Sequence, residues 1–167
     1  MKKTLIIFVL FFCNNLYADL SGKIILCKQY NLAVDLLSKN KNQTIYSDEK
    51  INKILKELPH IGIVFNSTSS AISYNLFEEK IKIKKLDYEE DDFIIFLKEK
   101  DKKLDNNLTI SGSYYGRIKR QSLHLESMGF NGFCELIENE QSLKNKMDIL
   151  LLEKKKYFES KRKKNKI

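Results

Sequence analysis

The chain has 167 residues and a formal net charge of +8, from 30 Lys and Arg against 22 Asp and Glu. This charge is unevenly placed. Residues 1–18 hold two bases and no acid, residues 144–167 hold ten bases and three acids, and residues 19–143 hold 18 bases and 19 acids. The long central stretch lacks the basic surface of a nucleic-acid-binding domain, so no nucleic-acid partner is expected. With 43% apolar residues and only one proline, the chain is neither disordered nor collagen-like.

The first 18 residues have the layout of a secretory signal peptide. Lys2 and Lys3 precede the unbroken apolar run Leu5–Phe12, and Ala18 offers a small residue before a cleavage point. The run is well short of the roughly 20 residues that a stable membrane span requires. We therefore predict cleavage near Ala18 and export to the periplasm or the medium; an N-terminal strand or an uncleaved anchor is the alternative.

Export changes what the cysteines predict. Cys13 leaves with the leader, and Cys27 and Cys134 remain, an even number in an oxidising compartment. A disulfide between them is the simplest pairing and would tie the start of the folded domain to its end. Two separate buried thiols are the alternative, because strand geometry can forbid a bridge.

Short apolar runs follow one another along the mature chain. They are residues 23–28, 61–65, 71–76, 80–84, 93–97, 108–118, 122–126 and 132–137. Residues 80–84 alternate Lys and Ile, which is typical of a half-buried antiparallel strand with its isoleucines inward. Residues 93–97 are apolar on both faces, so we expect a helix to cover Ile94 and Phe96.

Two segments have helical spacing. Ser47 and the acidic residues after it predict a helix start, and the apolar positions that follow end at Pro59. Residues 141–160 place Leu143, Met147 and Leu150 along one side. Residues 161–166 are expected to form a frayed, solvated tail.

These elements predict a mainly β fold with helices, in the α+β class. The strands form an antiparallel meander of about eight that can close into a small barrel. The predicted organisation is a signal peptide over 1–18, a β-rich domain over 19–138 with a helical insertion at 30–59, and a basic C-terminal helix and tail over 139–167.

No motif in the chain nominates a catalytic residue, a metal site or a cofactor. The acidic residues 87–92 do not match a calcium-binding loop and are expected to form a solvated hairpin turn. His60 and His124 have no ligand spacing for zinc, and both are expected at the surface. The serine of Gly112-Ser113-Tyr114-Tyr115-Gly116 stands one place too early for a nucleophile elbow. A non-enzymatic protein is therefore expected, with a hydrolase as the distant alternative.

The basic C-terminal segment is the candidate contact with an anionic membrane surface or an envelope protein. Its candidate contact residues are Lys154, Lys155, Lys156, Lys161, Arg162, Lys163, Lys164 and Lys166. The alternative is that the apolar side of this helix packs on the sheet, where it is not available to a membrane.

A combination of features resembles small uncharacterised secreted proteins of AT-rich marine bacteria. The features are the short lysine-led leader, residues 22–27 near the mature start, the hairpin at 61–76, the turn at 119–121 and the late residues 134–136. The resemblance covers most of residues 20–138, and no catalytic or binding residues come with it. The insertion at 30–59 and the basic tail depart from the pattern.

Two functions follow from these observations. The first is a secreted or periplasmic β-rich module that binds a small ligand or an envelope partner, since a closed eight-stranded barrel has an interior that is filled or holds one small ligand. Residues predicted to line this interior, or to form its core, are Ile63, Phe65, Ile72, Tyr74, Ile81, Ile83 and Ile95. The second is an envelope-associated structural protein that acts through the basic helix.

Overall fold

The structure, a computed structural model, describes residues 20–30, 54–103 and 109–164. The predicted signal peptide, most of the helical insertion including Ser47, and Lys166 lie outside the described residues. Residues 54–57 are helical, in agreement with the helix predicted before Pro59.

Eight strands close into an antiparallel barrel, which confirms the predicted α+β fold with a small barrel. They are β1 (Ile24–Gln29), β2 (His60–Phe65), β3 (Ser70–Phe77), β4 (Lys80–Glu90), β5 (Ile94–Glu99), β8 (Tyr114–Lys119), β9 (His124–Ser127) and β10 (Phe130–Leu136). A separate two-stranded ribbon, β6 (Lys102–Lys103) and β7 (Thr109–Ile110), lies in the connection from β5 to β8. The barrel order is β1, β10, β9, β8, β5, β4, β3 and β2, with β2 pairing back to β1.

Short polar turns join the neighbouring strands. In the turn between β2 and β3, the hydroxyl groups of Ser67 and Ser70 form a hydrogen bond of 2.8 Å. In the turn between β4 and β5, an Asp91 carboxylate oxygen accepts the backbone N–H groups of Phe93 at 2.7 Å and Ile94 at 2.6 Å. The acidic segment therefore closes a hairpin, as its sequence predicts.

Alternating side chains fill the barrel interior, because each strand directs every second residue inward. The interior residues are Ile25, Cys27, Ile61, Ile63, Phe65, Ala71, Leu86, Tyr88, Ile95, Leu97, Tyr115, Ile118, Leu125 and Phe130. The rings of Phe65 and Tyr88 meet edge to face, with centroids 5.1 Å apart. An eight-stranded barrel has room for such a filling and little more.

The C-terminal helix α1 (Glu140–Lys164) packs on the outside of the barrel. Its residues Leu143 and Met147 join a second buried cluster with outward-facing side chains of β1, β2 and β3, among them Ile24, Val64 and Leu76. The expectation that a helix covers Ile94 and Phe96 is wrong, since Phe96 is 43% exposed. Only residues 137–139 separate β10 from α1, so the helix folds back over nearby strands. It covers β1 and β2 because these two strands carry apolar residues on both faces.

The side chains of β4 that point into the barrel are those predicted to point outward, and the reverse. Leu86 and Tyr88 lie in the interior, so the alternation along β4 places Lys84 on the inner face and Ile83 on the outer face. Ile83 is 63% exposed, and Ile81 packs at the margin of the cluster under α1. Alternating Lys and Ile residues show that a strand has two different faces. The register of the whole strand decides which of these faces points into the barrel.

The disulfide between Cys27 and Cys134 is present, which confirms its prediction. The two residues are direct partners in the register of β1 and β10. The bond therefore lies across the junction that closes the barrel.

Candidate functional site

Only part of the predicted lining faces the barrel interior. Ile63, Phe65 and Ile95 are fully buried there as core residues. The other four side chains point away from the barrel interior; they are Ile72, Tyr74, Ile81 and Ile83. Tyr74 reaches α1 instead, where its hydroxyl donates to a Glu140 carboxylate oxygen at 3.0 Å.

The predicted anionic-surface contacts divide into engaged and exposed residues. Lys154 is only 3% exposed, and its ammonium donates to the Lys56 carbonyl at 2.9 Å. Lys161 pairs with Glu57 at 2.9 Å, and Arg162 holds both carboxylate oxygens of Glu79 at 2.8 and 2.9 Å. The expected fraying from residue 161 is therefore wrong, because the helix continues to Lys164. The exposed candidates that form no ion pair among the described residues are Lys155, Lys156, Lys163 and Lys164.

One end of the interior holds a polar cluster that the sequence did not predict. The Tyr115 hydroxyl donates to the Asn75 side-chain oxygen, and the Asn75 amide nitrogen donates to the Ser73 hydroxyl at 3.0 Å and to the Lys82 carbonyl at 3.2 Å. Burial raises the pKa of Tyr115, so its hydroxyl keeps the proton that it donates. Lys84, beside this cluster, pairs with Glu99. Because the buried polar atoms of this cluster have partners, it serves the fold and offers no open bonding position.

A cleft of about 540 Å³ lies on the outer face of β4, β5 and β8. Phe96 and Tyr114 contribute aromatic rings, and Asp87, Glu89 and Lys98 contribute charges. Lys98 pairs with Asp101 at 3.3 Å. Among the described residues this cleft contains no buried polar atom that lacks a partner, so nothing in it indicates a ligand.

A second space of about 510 Å³ lies between α1 and the barrel, and we call it the helix groove. The barrel contributes Leu26 and Lys28 from β1, His60 from β2, and Phe133, Cys134 and Glu135 from β10; the helix contributes Lys146, Ile149, Leu150 and Glu153. The register places Phe133, Lys28 and His60 in one row across three neighbouring strands. Glu135 and Leu26 form the next row, closer to the start of α1.

His60 is the one described residue with a buried side-chain nitrogen or oxygen atom that lacks a hydrogen-bond partner. That atom is Nδ1, and the residue is 8% exposed. The expectation of an ordinary surface histidine is therefore wrong. Every residue of β2 is buried, because the barrel core covers one face of this strand and α1 covers the other. The apolar run directly after Pro59 is the sequence signal that could have indicated this burial.

The electrostatic environment of His60 is positive. Burial, followed by the nearby charges of Lys154 and Lys28, lowers the pKa of His60 to about 4, while a hydrogen bond with the Leu58 backbone acts in the opposite direction. The imidazole is consequently neutral at pH 7. In the described part of the chain Lys28 makes no ion pair, whereas Lys146 and Glu135 pair at 2.8 Å towards the other end of the groove.

His124 also differs from its predicted place in solvent. Its ring stacks on Phe133 with centroids 4.8 Å apart, and its Nε2 atom bonds the Asn131 side-chain oxygen. Phe133 meets Tyr30 edge to face on another side, at 5.6 Å. These contacts fix the aromatic wall of the helix groove.

Comparisons with protein-family models, with characterised proteins and with solved structures find nothing that matches this chain. Among the described residues, no helix is long and apolar enough to cross a membrane.

Proposed function

We propose that the protein is an exported, non-enzymatic binding module that holds a small apolar ligand in the helix groove. The observation that carries this proposal is the space of about 510 Å³ between α1 and the barrel, which is lined by the apolar side chains of Leu26, Phe133, Ile149 and Leu150. The volume lies in the range of small-molecule sites, roughly 300–1,000 Å³.

The ligand is placed outside the barrel because side chains occupy the interior. Phe65, Tyr88 and Ile95 are among the buried residues that fill it, and the polar cluster around Asn75 is satisfied by its own bonds. The helix groove, in contrast, is an open space with an apolar surface from Leu26, Leu150 and Phe133.

Binding is favoured over catalysis by the environment of His60. A catalytic imidazole is oriented by a second group that bonds its other nitrogen, as in a Ser-His-Asp arrangement. The Nδ1 atom of His60 has no such partner in the described part of the chain. Its lowered pKa also makes it a weak base at neutral pH.

Export is supported by the leader pattern and by the disulfide, which forms and persists in oxidising compartments. Expression of the full chain in a bacterial host, followed by intact-mass measurement of the periplasmic fraction, tests this part. We expect a mass that begins near Asp19 and carries one disulfide; recovery of the whole chain in the cytoplasm contradicts export.

The alternative role of α1 as a membrane-binding helix has weaker support. Leu143 and Met147 are buried against the barrel, so much of the apolar side of the helix is already occupied. Lys155, Lys156, Lys163 and Lys164 can still attract an anionic surface, and only Ile149 and Leu152 remain as exposed apolar residues of α1. Co-sedimentation with phosphatidylglycerol vesicles, for the chain and for a variant with these four lysines changed to Gln, decides between the two roles.

The binding proposal is tested with N-phenyl-1-naphthylamine, an uncharged dye whose fluorescence rises in apolar surroundings. We expect saturable binding to one site. Ile149→Trp, which places a larger side chain in the groove, is expected to weaken binding about tenfold, or about 1.4 kcal/mol.

The matched control is Leu152→Trp. Ile149 and Leu152 are both exposed residues of α1, at 58% and 53%, but only Ile149 lines the helix groove. We expect Leu152→Trp to bind the dye as the unmodified chain does. Absence of saturable binding, or equal loss in both variants, overturns the proposed site.

A further inference from the structure

We infer that the ligand of the helix groove is an uncharged molecule with an aromatic ring, which packs against the Phe133 side chain. This ligand class rests on the proposed function, because it takes the groove as the binding site. Two features of the lining carry it: the exposed ring of Phe133 and the balance of charges along the groove.

Phe133 presents an aromatic surface that other side chains hold in place. The residue is 53% exposed and lines the groove from the barrel side. The His124 ring stacks on the Phe133 ring with centroids 4.8 Å apart, and the Tyr30 ring meets it edge to face at 5.6 Å. Of these three rings only Phe133 lines the groove. Because its ring is already held, a ligand that packs on Phe133 immobilises little further side-chain freedom.

An aromatic ring gains more from this wall than a saturated ring of the same skeleton. Aromatic pairs in offset-stacked or edge-to-face arrangements are stabilised beyond the area that they bury. The opposite wall of the groove is aliphatic, since α1 contributes Ile149 and Leu150 there. A flat ring between the two walls therefore meets Phe133 on one side and branched alkyl groups on the other.

The charges that line the groove favour neither an anion nor a cation. Lys146 and Glu135 pair with each other at 2.8 Å. Lys28 lies towards the other end, beside His60 in the register of β1 and β2, and Glu153 lines that same end from α1. Among the described residues the lining thus contains two lysines and two glutamates. A charged ligand group would meet a like charge as well as an opposite one, which disfavours it.

The test measures displacement of N-phenyl-1-naphthylamine at pH 7.5 by 2-naphthylmethanol and by decahydro-2-naphthylmethanol, which share a fused two-ring skeleton and a hydroxymethyl group. The saturated molecule has more apolar surface, so burial of area alone does not favour the aromatic one. We expect 2-naphthylmethanol to bind at least about threefold more tightly.

Two charged relatives of the aromatic alcohol test the second feature. They are 2-naphthoate, an anion, and 2-naphthylmethylammonium, a cation. We expect both to bind about tenfold more weakly than 2-naphthylmethanol, because each loses hydration of its charge without a free partner of opposite sign in a neutral lining.

Phe133→Leu removes the ring and keeps an apolar side chain. It is expected to abolish the preference for the aromatic alcohol and to leave affinity for the saturated alcohol within about twofold. The matched control is Phe96→Leu, because Phe96 is an exposed phenylalanine of the outer barrel face, at 43%, that does not line the groove. Phe96→Leu should leave the preference intact.

The comparisons among the four molecules use the unmodified chain and so do not depend on the folding of a variant. Equal or tighter binding of the saturated alcohol, or tighter binding of either ion than of 2-naphthylmethanol, overturns the ligand class while the binding site stands. An equal effect of Phe133→Leu and Phe96→Leu also overturns it. If the dye and all four molecules fail to bind, the proposed function itself is overturned.

Discussion

The Leu143 side chain of α1 lies directly over Gly62 of β2: its Cδ1 atom is 2.8 Å from the point that a β-carbon on residue 62 would occupy. Leu143 is fully buried at this contact. The missing side chain at position 62 thus lets the helix approach the sheet. Since α1 forms one wall of the helix groove, this contact also sets the position of that wall.

We expect Gly62→Val to push Leu143 away and to destabilise the protein by about 1–3 kcal/mol, the usual cost of overpacking a filled site. Urea denaturation followed by circular dichroism measures the free energy of unfolding. Leu143→Ala in the same protein creates space at this position, so the cost of Gly62→Val should be smaller in that background. Strictly additive costs in the double variant would show that the two side chains do not meet.

Stability should fall in mild acid because of His60. Its pKa is about 4 in the folded protein and 6.5 in the unfolded chain, so between these values the unfolded chain binds the extra proton. The free energy of unfolding is therefore expected to decrease as the pH falls from 6.5 to 4, by about 3 kcal/mol from this residue. Denaturant titrations at several pH values in this window measure it.

The control for this pH dependence is the other histidine. His60→Gln should flatten the stability profile between pH 6.5 and 4, whereas His124→Gln should keep the slope that His60 causes. Equal slopes in both variants would contradict the burial of a neutral imidazole at position 60.

Tyr115→Phe tests the polar cluster inside the barrel. It removes the hydroxyl that donates to Asn75 and leaves a buried amide oxygen without that partner, at a cost of about 1–3 kcal/mol. Tyr114→Phe, at the neighbouring exposed position, should change stability by less than about 0.5 kcal/mol. Thermal unfolding of both variants makes the comparison, and indistinguishable variants would contradict the cluster.

Reduction of the disulfide should strongly destabilise the protein. The bond joins residues separated by 107 positions, and on the chain-entropy model a loop of this size stabilises by about 4–5 kcal/mol. The expected result is a lower urea midpoint with dithiothreitol for a chain that begins at Asp19 and so lacks Cys13. In the double variant Cys27→Ser/Cys134→Ser, dithiothreitol should have no effect. An unchanged midpoint in the unmodified chain would contradict a stabilising bridge.

Much of the fold could be predicted because its signals are local. Alternation with period two locates strands, and a short polar segment between two strands predicts a hairpin. Cys27 and Cys134 lie near the first and last predicted strands, so their pairing indicated that these strands meet. The helical spacing of Leu143, Met147 and Leu150 likewise predicted α1.

The candidate site could not be predicted because it depends on which strands become neighbours. The row of Phe133, Lys28 and His60 joins positions from three strands that are distant in sequence. Lys154 looks like its exposed neighbours Lys155 and Lys156 in a basic run, and only the docking of α1 buries it.

By itself the sequence determined most of the strands, the C-terminal helix, the cysteine pairing and the near-neutral charge of the body of the chain; the predicted strand over 108–118 is divided between β7 and β8. The tertiary structure decided which face of β4 points inward, which strands α1 covers and that His60 is buried. The physical reason is that a repeating pattern along one strand distinguishes two faces without saying which is inside. Closure of the barrel and the short connection from β10 to α1 make that choice, and the same choice creates the helix groove.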